Sequence, residues 1–163
     1  PTVGGLLPDF ELPAPKDSAD RTYLKLSRGG TFKISQIDAQ VVLVEIYSMY
    51  CPYCQAEAPH MNGLYAKIEG NPALKGKIKI LGIGVGNSDY ETKIYKKKYH
   101  VPFPLFSDGD FTIHKLLGEV RTPYLIAVKI NTDRSHRVIF SKLGRMEGVD
   151  SFLAEIIKLA CIK

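Results

Sequence analysis

The run Val-Val-Leu-Val-Glu-Ile-Tyr at residues 41–47 constrains this chain more than any other stretch. It is apolar and β-branched, without the alternation of a strand that has one wet face. It therefore reads as a strand covered on both sides. Four residues later come Cys51-Pro52-Tyr53-Cys54. Residues 52–69 then read as a helix, with Ala56, His60, Leu64 and Ile68 at helical spacing and Gly70-Asn71-Pro72 as the stop. A strand buried on both faces and feeding a helix needs packed layers on either side of a sheet. That points to an α/β fold.

The remaining segments extend the alternation. Residues 22–26 and 31–34 are β-prone runs around Arg28-Gly29-Gly30 and read as an N-terminal β-hairpin, after an extended lead-in over residues 1–20. Residues 77–85 read as a strand and 88–99 as a helix capped by Ser88. Residues 101–106 read as an extended bridge into a turn at Ser107-Asp108-Gly109, and 110–117 as a short helix. Two strands over 124–130 and 137–143 precede an amphipathic closing helix that ends near residue 160. The expectation is a single domain, residues 1–163, with a central mixed β-sheet and helices on both faces.

Composition narrows the functional classes. The 163 residues carry 22 Lys and Arg against 17 Asp and Glu, a net charge of +5. The only tight basic cluster, Lys93, Lys96, Lys97 and Lys98, reads as a solvated helix face. Basic and aromatic residues are not interleaved in a way that suggests a nucleic-acid module. The longest aliphatic run, Val41-Val42-Leu43-Val44, is too short to span a bilayer. The chain opens on Pro1 rather than Met, so the expectation is a trimmed product, any membrane contact being made through a removed targeting segment or anchor.

Cys51 and Cys54 can be a redox pair, half of a metal site, or two inert thiols. Tetrahedral zinc needs four ligands, and only Cys161 and the scattered His60, His100, His114 and His136 remain, so no metal is expected. Proline is suited to the first turn of a helix, which puts Cys51 at the helix N-terminus beside unpaired N–H groups and the positive end of the dipole. That setting favours a thiolate. Cys54 lies one turn on, on the same face. These positions make Cys51 the attacking thiolate and Cys54 the resolving thiol of disulfide exchange.

The segment VVLVEIYSMYCPYCQAEAP resembles the active-site region of thioredoxin-fold thiol:disulfide oxidoreductases, and most nearly their TlpA/ResA branch. The matching positions are Tyr50, Cys51, Cys54, Glu57 and Pro59. A second anchor, RTPYLIAV at residues 121–128, resembles the Thr-Pro before the family's later strand. The resemblance covers roughly residues 22–159, including an inserted βα segment within 77–118. It implies a thioredoxin-like three-layer fold and a cis peptide bond at Pro123 that packs against the disulfide. It also implies that Thr122 pairs with an extended substrate beside Pro52 and Tyr53. No cofactor is implied beyond a redox-active Cys51–Cys54 disulfide. Tyr50 stands where the family has Trp. The Pro-Tyr dipeptide is the one glutaredoxins carry and points to a potential less reducing than thioredoxin's, about −270 mV.

The resemblance also assigns two acids. Glu45, six residues before Cys51, matches thioredoxin's buried acid, a proton acceptor for Cys54 with a raised pKa. The alternatives for Glu45 are an outward-facing side chain or a lysine partner. Glu57 matches the family's active-site glutamate, which modulates cysteine acidity; the alternative is an acid serving only the helix dipole.

The implied activity is exchange with extracytoplasmic protein thiols and disulfides, more specifically their reduction, in a periplasmic setting. Apocytochrome c and a membrane electron donor are the implied partners, and no nucleic acid is. The rival enzymatic reading is a peroxiredoxin-like thiol peroxidase, with Ser48 three residues before Cys51 and Arg121 as its arginine, but Val44 stands where that motif has proline. Gly82-Ile83-Gly84-Val85-Gly86 lacks nucleotide-loop spacing and reads as close packing in a strand.

Overall fold

The computed structural model describes residues 1–162. In chain order the elements are β1 (Leu12–Pro13), α1 (Ser18–Leu24), β2 (Thr31–Phe32), β3 (Val41–Tyr47), α2 (Pro52–Glu69), β4 (Ile78–Val85), α3 (Asp89–Lys98), β5 (Leu105–Asp108), α4 (Thr112–Leu116), β6 (Tyr124–Ile130), β7 (His136–Leu143) and α5 (Val149–Ala160). Five strands form one mixed sheet in the order β5-β4-β3-β6-β7. β3 occupies its centre, parallel to β4 and antiparallel to β6. All seven residues of β3 are buried.

Side-chain alternation along β3 separates two cores. Val42, Val44 and Ile46 pack with Leu24 of α1, Ile113 of α4, Phe32 and the N-terminal Leu7 and Phe10. Val41, Leu43 and Tyr47 pack with Met61, Leu64 and Ile68 of α2, Tyr95 of α3 and Phe152 and Ile156 of α5. Each of these large apolar side chains contributes about 1.5–3 kcal/mol on burial. The result is the expected three-layer arrangement. It puts Glu45, an odd position, on the α2 face.

The structure corrects four local expectations. The two-stranded antiparallel ribbon is present, but it pairs Leu12 with Phe32 and Pro13 with Thr31. Residues 18–24, the end of the expected lead-in and the start of the expected strand at 22–26, are helix instead. Asp17 caps that helix by accepting from Ala19 N at 2.8 Å and Asp20 N at 3.2 Å, and Lys25 ends it with φ of 54°. These end signals outweigh the β propensity of Thr22 and Tyr23. Residues 105–108, read as a bridge and turn, instead form β5 and pair in parallel with Gly82–Val85. The buried stripe of α2 is Cys54, Glu57, Ala58, Met61, Leu64 and Ile68, so Ala56 lies outside it and is exposed.

Gly82 and Gly84 face α2 and α3, and their missing side chains are required there. A Cβ on Gly82 would come 2.6 Å from Leu105 Cδ2 and 3.2 Å from the Tyr47 ring; one on Gly84 would come 3.1 Å from the Tyr47 hydroxyl. The glycines thus make room for the Tyr47 ring, which stacks on Tyr95 with centroids 4.6 Å apart.

Backbone groups on the outer side of β4 and on β7 find partners outside the sheet's own ladders. Along the outer side of β4, Ile78 N donates to Leu74 O, Gly82 N donates to Pro104 O, and Ile80 N donates to the Tyr23 hydroxyl at 2.8 Å. On the far edge, Gly4 N donates to Val138 O and Val138 N to Gly5 O, both at 2.8 Å.

Candidate active site

β3 ends at Tyr47, and a short loop carries the chain onto α2. Pro52 sits in the first helical turn, where its missing N–H costs nothing. Cys51 is the N-cap, with extended backbone at φ −89° and ψ 114°. Its sulfur fills the place usually taken by a serine or aspartate oxygen and accepts the Cys54 N–H at 3.3 Å. Two side chains fasten the loop. Asn87 Oδ1 accepts from Met49 N at 2.9 Å, and Gln55 Nε2 donates to Met49 O at 2.8 Å.

The two thiols differ in exposure and acidity. Cys51 is partly accessible and Cys54 is buried. Burial works against ionisation of Cys51. Hydrogen bonds from the Cys54 and Thr122 side chains and from the N–H groups of Cys54 and Tyr53 outweigh it, leaving the Cys51 pKa below the ordinary thiol value. Burial first, and then the Cys51 sulfur beside it, push the Cys54 thiol up. One face of the pair therefore presents a ready nucleophile, with a protonated thiol one turn behind it.

The start of β6 closes the site from the other side. Cys51 Sγ lies 3.6 Å from the carbonyl oxygen of Thr122, 71 residues away in sequence. The Thr122–Pro123 peptide bond is cis, and Pro123 is buried. Pro52 and Tyr53 are exposed on the rim. An open groove of about 550 Å³ runs from this point between Tyr50, Gly86, Phe111, Arg121 and Thr122.

Glu45 points inward and is only 3% exposed, which removes the outward-facing alternative. It has no lysine partner among the described residues, and its Oε2 makes no hydrogen bond there. Burial first, then the Glu57 charge and the Cys51 sulfur, push its pKa up to about 8. Glu57 is as buried but well supplied with donors. Met146 N donates to Oε2 at 2.8 Å, Arg145 Nε lies 3.4 Å from Oε1, and His60 Nδ1 lies 3.1 Å from Oε1. Its carboxylate thereby ties α2 to the loop that follows β7.

Sequence reading did not single out Asn87, Glu91 or Tyr95, which shape the site. Tyr50 donates its hydroxyl to Glu91 Oε2, while Glu91 Oε1 accepts Ser88 N at 3.0 Å, so the capping box of α3 also holds the residue before Cys51. Only the capping half of that arrangement has a sequence signal, Ser88-x-x-Glu91. Tyr95 donates to Cys54 O at 3.2 Å. Of the peroxidase candidates, Ser48 Oγ accepts from Tyr50 N at 3.3 Å and Arg121 is exposed; the hydrogen bonds of the Cys51 sulfur go to Cys54 and Thr122 instead.

Comparisons with known proteins agree with this geometry. The chain is 25% identical to a thiol-disulfide oxidoreductase ResA of Oceanobacillus iheyensis over 126 residues, covering 76% of the chain and 59% of that relative. It is 25% identical to ResA of Bacillus thuringiensis over 130 residues, covering 78% of the chain and 70% of the relative. The chain thus spans about three fifths to seven tenths of these relatives' lengths. Among solved structures, a Chlorobium tepidum protein assigned as the thiol:disulfide interchange protein DsbE superposes with a TM-score of 0.69 at 18% identity, covering 98% of this chain and 97% of that one. StoA from Bacillus subtilis superposes with a TM-score of 0.56 at 17% identity, covering 80% and 91%. These likenesses establish the thioredoxin-like fold. The sequence profile of the AhpC/TSA family matches residues 3–143, and the chain belongs to that family.

Proposed function

We propose that this chain is a thiol:disulfide oxidoreductase that reduces disulfides of extracytoplasmic proteins. One observation carries the reading. A partly exposed Cys51 thiol of lowered pKa stands at a helix N-terminus, above a buried Cys54 thiol of raised pKa and against the Thr122 carbonyl.

The steps follow from those positions. The Cys51 thiolate attacks one sulfur of a substrate disulfide and expels the other as a thiolate, giving a mixed disulfide. Thr122 and Pro123 hold the extended substrate chain beside Pro52 and Tyr53. Bonding Cys51 into that disulfide removes its negative charge, one of the causes that raise Glu45. Glu45 then releases its own proton to solvent more readily, and the resulting carboxylate accepts the proton of Cys54. The Cys54 thiolate attacks Cys51 Sγ, closes the Cys51–Cys54 disulfide and releases the second substrate sulfur as a thiolate. Two electrons pass to the substrate, and the dithiol couple carries them without a further cofactor. Glu57 sets the field around Glu45 and through it the timing of proton transfer.

The TlpA/ResA resemblance supports an extracytoplasmic location, with apocytochrome c as a candidate substrate and a membrane protein as the electron donor that restores the dithiol. No helix among the described residues is long and apolar enough to cross a membrane. The test is reduction of insulin disulfides and consumption of hydrogen peroxide, measured side by side on the chain and on Cys51→Ser. Insulin reduction lost in Cys51→Ser, with peroxide consumption at background in both, is expected. Rapid peroxide turnover that depends on Cys51, without disulfide exchange, overturns the proposal.

A further inference from the structure

The α2 face of the sheet holds three buried polar atoms that stand unpaired in the folded chain. They are Glu45 Oε2, the Tyr47 hydroxyl and Asn87 Nδ2, and none has a hydrogen-bond partner among the described residues. Burying such an atom unpaired is costly, so three together in a well-packed core call for a reason. They are neighbours. Glu45 and Tyr47 lie two residues apart on the same face of β3. Asn87 follows β4, and a Cβ on Gly84 would sit 2.8 Å from Asn87 Oδ1 and 3.1 Å from the Tyr47 hydroxyl. The amide of Asn87 is oriented by Met49 N–H, which binds Oδ1 and leaves Nδ2 as the free donor. The three groups are a donor, a hydroxyl that both donates and accepts, and an acceptor; Asn87 and the Tyr47 hydroxyl meet over Gly84, and the Glu45 charge acts on Tyr47.

We infer that Asn87, Tyr47 and Glu45 form a hydrogen-bond chain that closes when Glu45 ionises: Asn87 Nδ2 donates to the Tyr47 oxygen, and the Tyr47 hydroxyl donates to Glu45 Oε2. Tyr47 and Asn87 are positioning residues for the buried acid. The chain favours the carboxylate and so offsets part of the burial and like-charge effects that oppose it. The other titratable groups facing Glu45 are Cys51, Cys54 and Glu57 on α2 and Tyr95 on α3. None supplies a hydrogen bond to Glu45 Oε2. Asn87 thereby links two tasks, since the same carboxamide that fastens the Cys51 loop orients the hydroxyl beneath it.

This inference rests on Glu45 serving as the base for Cys54, and its test separates the two. The Glu45 carboxyl is titrated by carbon-13 NMR in the reduced chain, with no substrate present, for wild type and Tyr47→Phe. Phenylalanine keeps the ring stacked on Tyr95. The midpoint moves up by about one pH unit when the hydroxyl is gone. Asn87→Ser severs the chain one link earlier and moves the midpoint the same way by less. In a second measurement, a Cys51 mixed disulfide with thionitrobenzoate is formed and its release by Cys54 is timed. Release at pH 7 slows about tenfold in Tyr47→Phe, following the fall in ionised Glu45, and the difference shrinks at higher pH. In a Glu45→Gln background the Tyr47→Phe change has no further effect. A midpoint that stays or falls in Tyr47→Phe overturns the chain, as does equal slowing in the Glu45→Gln background. Failure to reduce protein disulfides leaves the NMR result intact and bears only on the proposed function.

Discussion

Glu45 and Glu57 lie on the same side of the sheet, nearly equally buried, yet only one of them is supplied with donors. Glu57 is met by Met146 N–H, Arg145 and His60, whereas Glu45 Oε2 is met by nothing among the described residues. The charge of Glu57 is one cause of the raised Glu45 pKa. Glu57 is therefore the paired acid, and Glu45 is the unpaired one that carries the raised pKa. Four predictions follow from this pairing and its surroundings.

Stability falls as pH rises across the Glu45 titration. Its folded pKa, about 8, lies above the ordinary 4.5, so the folded state holds the proton more tightly. The Glu45 contribution is fully present below pH 4.5 and is lost as pH climbs towards 8. Each unit in that window costs about 1.4 kcal/mol. Urea unfolding of the reduced chain at pH 5 and pH 9 is expected to show this loss, and Glu45→Gln is expected to flatten it. Parallel pH dependences in the two proteins would count against a raised Glu45.

Replacing Glu57 by glutamine is expected to move the Glu45 midpoint downward, because the second cause of its elevation is gone. Carbon-13 titration of the side-chain carboxyls reads this directly. Glu57→Ala should in addition destabilise by about 1–3 kcal/mol, since Met146 N–H and Arg145 lose their acceptor. If the Glu45 midpoint is unmoved in Glu57→Gln, the two carboxyls are not coupled.

Iodoacetamide should distinguish the two thiols. Below the ordinary thiol pKa, the reduced chain is expected to be alkylated first at Cys51, and Cys54→Ser should retain that reactivity while Cys51→Ser loses it. Mass mapping of the first alkylated peptide decides the point, and initial modification at Cys54 would reverse the assigned roles.

Gly82→Ala tests the packing beneath the site. The added methyl meets Leu105 Cδ2 at 2.6 Å and the Tyr47 ring at 3.2 Å. Overpacking of this kind costs about 1–3 kcal/mol, seen as a lower unfolding midpoint. A neutral effect would mean that the Leu105 side chain and the Tyr47 ring are free to shift.

Local patterns made β3, α2 and the closing helix legible in the sequence, because burial on both faces, a proline in the first turn and an amphipathic stripe are all written in neighbouring residues. The Cys51–Cys54 pair was legible for the same reason. Residues 22–26 misled because Thr22 and Tyr23 favour strands in isolation, while the outcome depended on caps at Asp17 and Lys25. β5 was hidden because a four-residue strand has meaning only beside β4. The partners of the site were out of reach of any local pattern. Glu91 meets Tyr50 across 41 residues, Asn87 meets Met49 across 38, and Met146 meets Glu57 across 89. Glu45 was conspicuous as a charge in an apolar strand, but its direction depended on which parity of β3 faced α2.

The hydroxyl of Tyr23 bears on how such a chain survives at high concentration. β5 pairs with only the second half of β4, so the backbone of the first half has no strand partner on that side. Its outward N–H groups are already taken at Ile78 by a loop carbonyl and at Ile80 by Tyr23. A neighbouring copy approaching that side finds no free donor to start a ladder. A helix packed over the core thus also occupies a backbone donor that an incoming strand would need.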